Sequence, residues 1–296
     1  MVGKSIILYM NKEKIKNLCP DRKELDLINY SKVSKYFKKN KFDYIINCAA
    51  KVGGILENSN NQISFYRENA EINHNLIKCA HENKIKNFIN MGSSCMYPSN
   101  YNTKISEKKI MSGPLEESNL GYGMAKVTSS IYLKLIREET GYNYSTIIPC
   151  NLYGHNDNFK NNKSHLIASI IKKVHEAKIN NKKYIEVWGN GKVKREFLYV
   201  DDLAIFVTKL IKNKEKLPEL MNVGYGKDFS VIAFYKKVMK AYNYNVELKF
   251  DKSKPNGVNR KLIDSRVAKQ KYGFKINTTL EKGINNTISY YEKNYV

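Results

Sequence analysis

Between residues 43 and 149 the chain alternates short apolar runs of strand length with longer stretches of helical pattern. Asp43-Tyr44-Ile45-Ile46-Asn47-Cys48-Ala49-Ala50 reads as a buried strand, residues 64–82 as a long helix and Asn87-Phe88-Ile89-Asn90-Met91 as a second strand. Residues 122–139 read as a helix closed by Gly141, and Ser145-Thr146-Ile147-Ile148-Pro149 as a third strand. Strands separated by helices pair in parallel, so the alternation predicts an α/β fold built on a doubly wound parallel sheet. Ahead of it, residues 4–10 read as a helix, 15–19 as a strand and 31–39 as a basic helix. Beyond Asn151 the pattern loosens. A helix is expected over 165–178, strands over 184–188 and 195–199, and a helix after Tyr199 with Asp201 and Asp202 near its N-cap. Met221-Asn222-Val223 is expected to return to the main sheet, and a further strand to lie near 246–250.

Composition narrows the function classes. With 296 residues, 42% of them hydrophobic, the chain can bury a sizeable core in one or two domains. No stretch approaches a membrane span, and Ile6-Ile7-Leu8-Tyr9-Met10 is too short for a signal peptide, so a cytoplasmic protein with no membrane partner is expected. Five scattered cysteines without a CxxC pair argue against a disulfide framework and a zinc site. The net charge of +23 raises the question of nucleic acid. The lysines, however, are spread over many helices and no nucleic-acid motif accompanies them, so no nucleic-acid partner is expected. A positive field that draws in an anionic nucleotide substrate fits better.

The chemistry-bearing stretch is Gly92-Ser93-Ser94-Cys95-Met96-Tyr97-Pro98, which follows the second strand. Ligands of open parallel sheets sit at the carboxyl ends of the strands. Ala49-Ala50-Lys51-Val52-Gly53-Gly54 follows the first strand and lets backbone approach a ligand closely. Downstream, Tyr122-x-x-x-Lys126 puts a phenol and an ammonium on one helical face. That spacing alone fits a packed tyrosine beside a solvated lysine; the Gly-Ser-Ser strand end favours catalysis. Tyr122 is then the acid of a ketone reduction, Ser93 a hydrogen-bond donor to the same oxygen, and Lys126 the cation that lowers the phenol pKa.

Further segments complete a pattern: Asn151-Leu152-Tyr153-Gly154, Asp157-Asn158-Phe159, Ser164-His165, Val187-Trp188-Gly189, Arg195-Glu196-Phe197 and Ser253-Lys254-Pro255. Over essentially its whole length the chain resembles the extended short-chain dehydrogenases that act on nucleotide sugars, and among them the GDP-L-fucose synthase family. The resemblance implies a bifunctional NADP(H)-dependent 3,5-epimerase and 4-reductase of GDP-4-keto-6-deoxy-D-mannose. It implies Cys95 as the base and His165 as the acid of epimerisation, with the thiolate near Lys126. It implies cofactor contacts from Gly3, Arg22, Ala49, Ala50, Lys126, Pro149, Asn151, Leu152 and His165. Substrate contacts are implied for Ser94, Lys173, Trp188, Arg195 and Lys254, with Arg195 on the diphosphate. Trp188 packs on the sugar or base, or belongs to the core.

Residues 1–150, rejoined by 196–226, are expected to form the cofactor-binding part, and 151–296 mainly the substrate part. A homodimer through helices 64–82 and 122–139 is implied as well. The sequence departs from the family in three places. Lys173 stands where an arginine is usual, Asn256 replaces an aspartate, and of the Gly-x-x-Gly-x-x-Gly fingerprint only Gly3 is present. A first strand carrying the other two glycines, roughly a dozen residues, is therefore expected upstream of Met1. Arg22 favours NADP over NAD, or is a solvated loop charge. Rival readings are the same chemistry on another GDP-4-keto sugar such as a heptose, reduction without epimerisation, and a non-catalytic binding relic.

Overall fold

The computed structural model describes residues 1–160, 164–254 and 257–296; Pro255 and Asn256 lie outside the described residues. Helices α1 (Val2–Lys12) and α2 (Tyr30–Lys39) precede β1 (Ile45–Asn47), α3 (Ile55–Asn60), α4 (Gln62–Glu82) and β2 (Asn87–Met91). Then come α5 (Leu120–Thr140), β3 (Asn143–Pro149), β4 (Asn151–Tyr153), α6 (Leu166–Ile179), β5 (Tyr184–Trp188) and β6 (Lys194–Tyr199). The chain continues with α7 (Val200–Lys212), β7 (Leu220–Val223), β8 (Asp228–Ser230), α8 (Val231–Ala241) and β9 (Glu247–Asp251). It finishes with β10 (Arg260–Lys261), α9 (Arg266–Tyr272) and α10 (Leu280–Tyr295). No described helix is long and apolar enough to cross a membrane.

The main sheet runs β1-β2-β3-β7, every pair parallel, so the doubly wound sheet and the return of β7 are as expected. Side chains of a strand alternate between faces, and here both faces are covered. Phe88 and Tyr144, paired in register, point towards α2, α4 and α5, where Val33, Ile77 and Leu133 meet them. Ile89, Met91 and Ile147 point the other way, onto α1 and α7 with Ile6, Leu203 and Val207. Helix α5 ends at Gly141, whose φ of +72° is the left-handed stop a glycine supplies.

Two strand expectations are corrected. Residues 15–19 form no strand: Leu18 is 52% exposed, and the Asn17 side-chain amide donates to the Ile15 carbonyl, diverting an acceptor that a ladder would need. The strand expected over 43–50 is only β1, because the Asn47 side-chain oxygen accepts the Ala49 N–H and turns the backbone out of the sheet. Among the described residues, 1–44 contribute two helices and no strand, leaving β1 at the sheet edge.

A second sheet, β10-β6-β4 with β8 antiparallel to β6, lies beside the first, and β5 pairs with β9. A separate core fills this half, built from Ile167, Ile171 and Val174 of α6, Phe234 and Val238 of α8, and Ile284 and Ile288 of α10. Glu196 of β6 joins the sheets' loops. Its two oxygens accept the Gly226 N–H at 2.5 Å and the Ile263 N–H at 3.0 Å, and its side chain is buried. Burial pushes its pKa up to about 7 against the pull of those two donors. Between pH 4.5 and 7 the folded state therefore binds a proton that the unfolded state releases. The stability this contributes is complete below pH 4.5 and is lost as the pH rises through 7. Glu196→Gln offers one acceptor for two donors, so urea denaturation should show a loss of about 1–3 kcal/mol. The difference from wild type should be larger at pH 5 than at pH 8; equal midpoints at both would contradict it.

Candidate active site

The site forms where the main sheet's strands end. β2 delivers Gly92 and Ser93 at its carboxyl end, and the chain then makes one tight helical turn, Ser94–Met96. Ser93 caps that turn by accepting the Cys95 N–H at 3.2 Å. The first turns of α5 bring Tyr122 and Lys126 alongside. Gly123 makes this approach feasible: a Cβ there would lie 2.8 Å from the Cys95 carbonyl oxygen. The expected trio is thus assembled, with Ser93 near enough to the Tyr122 phenol to pull its pKa down.

Its electrostatics differ from the expectation. Lys126, only 1% exposed, donates to the Met91 carbonyl at 2.8 Å, with Nζ 5.9 Å from the centre of the Tyr122 ring. Burial lowers the ammonium's pKa to about 8, with Cys48 pulling weakly the other way. The phenol is not lowered. Burial, then the neighbouring Cys95, hold it above its ordinary value, against the Ser93 hydrogen bond. Tyr122 therefore keeps its proton at neutral pH, the state an acid needs.

The cation set against Cys95 is likewise not Lys126. It is Lys261 of β10, whose Nζ lies 3.9 Å from Sγ and 2.6 Å from the Glu116 carboxylate. Arg195, expected on the diphosphate, joins this corner. Its Nη1 donates to the Val258 carbonyl at 2.6 Å, and burial lowers its pKa against the opposing field of Glu116 and Cys95. Gly257, at φ +66°, leaves the room: a Cβ there would stand 3.0 Å from Arg195 Nη2 and 3.3 Å from Glu116 Oε1. Neither Lys261 nor Glu116 was singled out by the sequence.

His165 is the N-cap residue of α6; burial raises the pKa of nearby Asp157, against the opposing pull of His165. Trp188 and Lys173 come together as a second group. The lysine Nζ lies 5.7 Å from the indole and donates to the Glu186 carbonyl at 2.9 Å. Trp188 is 37% exposed, so it is not core. Lys254 is exposed in the turn after β9, its N–H on the Asp251 carbonyl. Ser94 is buried beneath Cys95.

The residues assigned to a dinucleotide line the same strand ends. Ala49 and Ala50 follow β1, Pro149 closes β3, and Asn151 and Leu152 open β4. Gly3 lies in the first turn of α1, where an added Cβ would meet the Cys48 Cβ at an ordinary 3.6 Å. No side chain caps α1 and no acidic residue occupies its first turn, which leaves its N–H groups suited to a phosphate. With the buried Lys126 this donor set fits a pyrophosphate and a ribose. Arg22 sits exposed in a turn before α2. All five cysteines are free, and among the described residues no three His, Cys, Asp or Glu side chains gather as a metal site requires.

A doubly wound sheet with Ser, Tyr and Lys at its strand ends defines a nicotinamide-dependent short-chain dehydrogenase fold. The chain belongs to the NAD dependent epimerase/dehydratase family, whose description matches residues 1–224. It is 41% identical to GDP-L-colitose synthase of Yersinia pseudotuberculosis, across 99% of this chain and 96% of that protein. It is 34% identical to GDP-L-fucose synthase of Azorhizobium caulinodans, across 98% and 93%. Among solved structures, the GDP-L-fucose synthetase of Naegleria fowleri bound to NADP superposes with a TM-score of 0.88 at 27% identity, covering 99% of this chain and 90% of that one. The chain is an enzyme, and the resemblance read from its motifs holds.

Proposed function

We propose that the chain uses NADPH to epimerise GDP-4-keto-6-deoxy-D-mannose at C3 and C5 and to reduce C4, giving GDP-L-fucose. The observation that supports this reading is the placement of Ser93, Cys95 and the start of α5 together at the end of β2, where the Cys95 N–H donates to Ser93 Oγ and Gly123 lets α5 close on the Cys95 carbonyl. A keto oxygen bound between Ser93 and Tyr122 would have two O–H donors, and Cys95 is the residue assigned to the carbons beside it. Relatives of up to 41% identity bearing GDP-sugar synthase names support the nucleotide.

Epimerisation comes first. The Cys95 thiolate takes the proton from C3 or C5, and the electron pair of that C–H bond moves onto the keto oxygen as an enolate. Ser93 and Tyr122 donate hydrogen bonds to this oxygen. His165 returns a proton to the opposite face of the carbon. Reduction follows: Tyr122 gives its proton to the oxygen as C4 takes the hydride that bound NADPH would supply. Lys126 and the strand-end residues 49–50 and 149–152 hold the cofactor, and Arg22 reads its 2′-phosphate. Lys173, Trp188 and Lys254 hold the nucleotide part of the substrate. In this reading residues 1–150, with 196–226, serve the cofactor and most of 151–296 serves the sugar nucleotide, in the cytoplasm.

Incubation with NADPH and GDP-4-keto-6-deoxy-D-mannose, followed at 340 nm and by NMR of the product, tests the proposal. GDP-L-fucose is expected, and absence of oxidation with this ketone would overturn it. A second reading, that the product is GDP-L-colitose, is favoured by the 41% identity to the Yersinia enzyme. The corresponding ketone run in parallel decides between them.

The reading includes a homodimer. Helices α4 and α5 pack side by side and expose Ile63 (82%), Tyr66, Leu120, Met124 and Leu135 (50%). Apolar side chains along such a pair are suited to a second copy. Light scattering at micromolar concentration should give twice the chain's 34.3 kDa, and Tyr66→Lys with Leu135→Lys should give a monomer. A wild-type monomer would rule this out.

A further inference from the structure

We infer that Gln62 is a positioning residue: its side chain caps α5 from a neighbouring helix and so sets Tyr122 against the cofactor. The inference rests on the reading of Tyr122 as the acid of the reduction. The first N–H groups of a helix have no partner inside it. Asn119, the N-cap residue of α5, supplies no side-chain bond to them. Gln62, 59 positions before Gly121 and the first residue of α4, does so instead. Its side-chain oxygen accepts the Gly121 N–H at 2.7 Å, and its amide nitrogen donates to the Glu117 carbonyl. One planar amide thus grips both sides of the turn that opens α5, and the residue after Gly121 is Tyr122.

The backbones meet as closely as the side chains. A Cβ on Gly121 would stand 2.3 Å from the Gln62 carbonyl oxygen, so the start of α5 rests directly on the first turn of α4. Two turns further along the same face of α4, Asn69 holds a second partner. Its oxygen accepts the Lys51 N–H at 2.9 Å, and its amide donates to the Lys51 carbonyl at 3.0 Å. Lys51 directly follows Ala49 and Ala50, the pair proposed for the dinucleotide. Helix α4 is therefore a bracket, with the cofactor loop on one amide and the Tyr122 turn on the other. It fixes the distance between the seat of the hydride donor and the proton donor, and reduction needs both at one carbonyl. Asn69 is 1% exposed and serves the core as well. Gln62 is half-buried at the surface, so changing it tests the bracket without emptying the core.

Gln62→Leu keeps the volume and removes both hydrogen bonds. Hydrogen exchange of the Gly121 N–H, followed by NMR, reads the cap without any substrate, and in Gln62→Leu it should speed up by at least about tenfold. The kcat of NADPH oxidation should fall roughly 10- to 100-fold, with KM for the ketone within about twofold of wild type, because the acid is displaced and not the binding groups. Gln62→Glu still offers the Gly121 N–H an acceptor, one that suits a helix N-terminus, and should keep most of both. In the Tyr122→Phe background Gln62→Leu should cost little more, since a cap that acts through the phenol has nothing left to position. A merely structural role would multiply the two losses. Unchanged Gly121 exchange, a wild-type kcat, multiplied losses in the double variant, or losses in Gln62→Glu equal to those in Gln62→Leu would each overturn the inference. Tyr122→Phe alone judges the underlying reading. If that variant turns over like wild type, the assignment of the acid fails, while Gly121 exchange still decides whether Gln62 holds the start of α5.

Discussion

Tyr122→Phe should lower the rate of NADPH oxidation by roughly 10²–10⁴-fold, the usual contribution of a positioned acid. The substitution removes one oxygen and leaves the ring in its place between Ser93 and Lys126. No neighbour can replace the lost proton. The Ser93 hydroxyl can still donate a hydrogen bond to the keto oxygen but is too weak an acid to protonate it. The Lys126 ammonium points at the Met91 carbonyl and does not reach the same position. Affinity for NADPH and for the GDP moiety should change little, because the contacts proposed for them lie at the strand ends and at Lys173, Trp188 and Lys254. The loss should therefore fall on kcat and not on KM. An unchanged kcat would remove Tyr122 from the mechanism.

How much of this was legible depended on how local its cause was. Strands β2 and β3 and helix α5 announce themselves because each is a run whose own side chains fill a layer of the core: Phe88 and Tyr144 on one face, Ile89 and Ile147 on the other. The Tyr122–Lys126 spacing is likewise a property of one helix. Residues 15–19 misled because apolar content resembles a strand even where no neighbour exists to pair with it. The short strands β4 and β10 exist only because β6 lies between them, and nothing in their own residues says so. The same holds for the cluster around Cys95. Lys261 is one of 51 basic residues, and its meeting with Glu116 spans 145 positions. Arg195 is legible as a guanidinium suited to a diphosphate, but the Val258 carbonyl that it also meets, 63 positions away, is not. The phenol was expected to be acidified by Lys126; what decides its pKa is burial, which depends on everything packed around it.

Cys95→Ser separates the two halves of the reaction. A serine hydroxyl in this place keeps the backbone turn, since the Ser93 oxygen still accepts the residue-95 N–H. It also leaves Ser93, Tyr122 and Lys126 untouched, so a ketone that needs no epimerisation should still be reduced. The missing property is acidity. A thiol has an ordinary pKa of about 8.5, and an alcohol is a far weaker acid. Exchange of the C3 and C5 protons with deuterated water, followed by NMR with oxidised cofactor present, should therefore fall by at least about 10²-fold. Full deuterium incorporation would place Cys95 in the packing of the turn and leave the base to be found among the groups around His165.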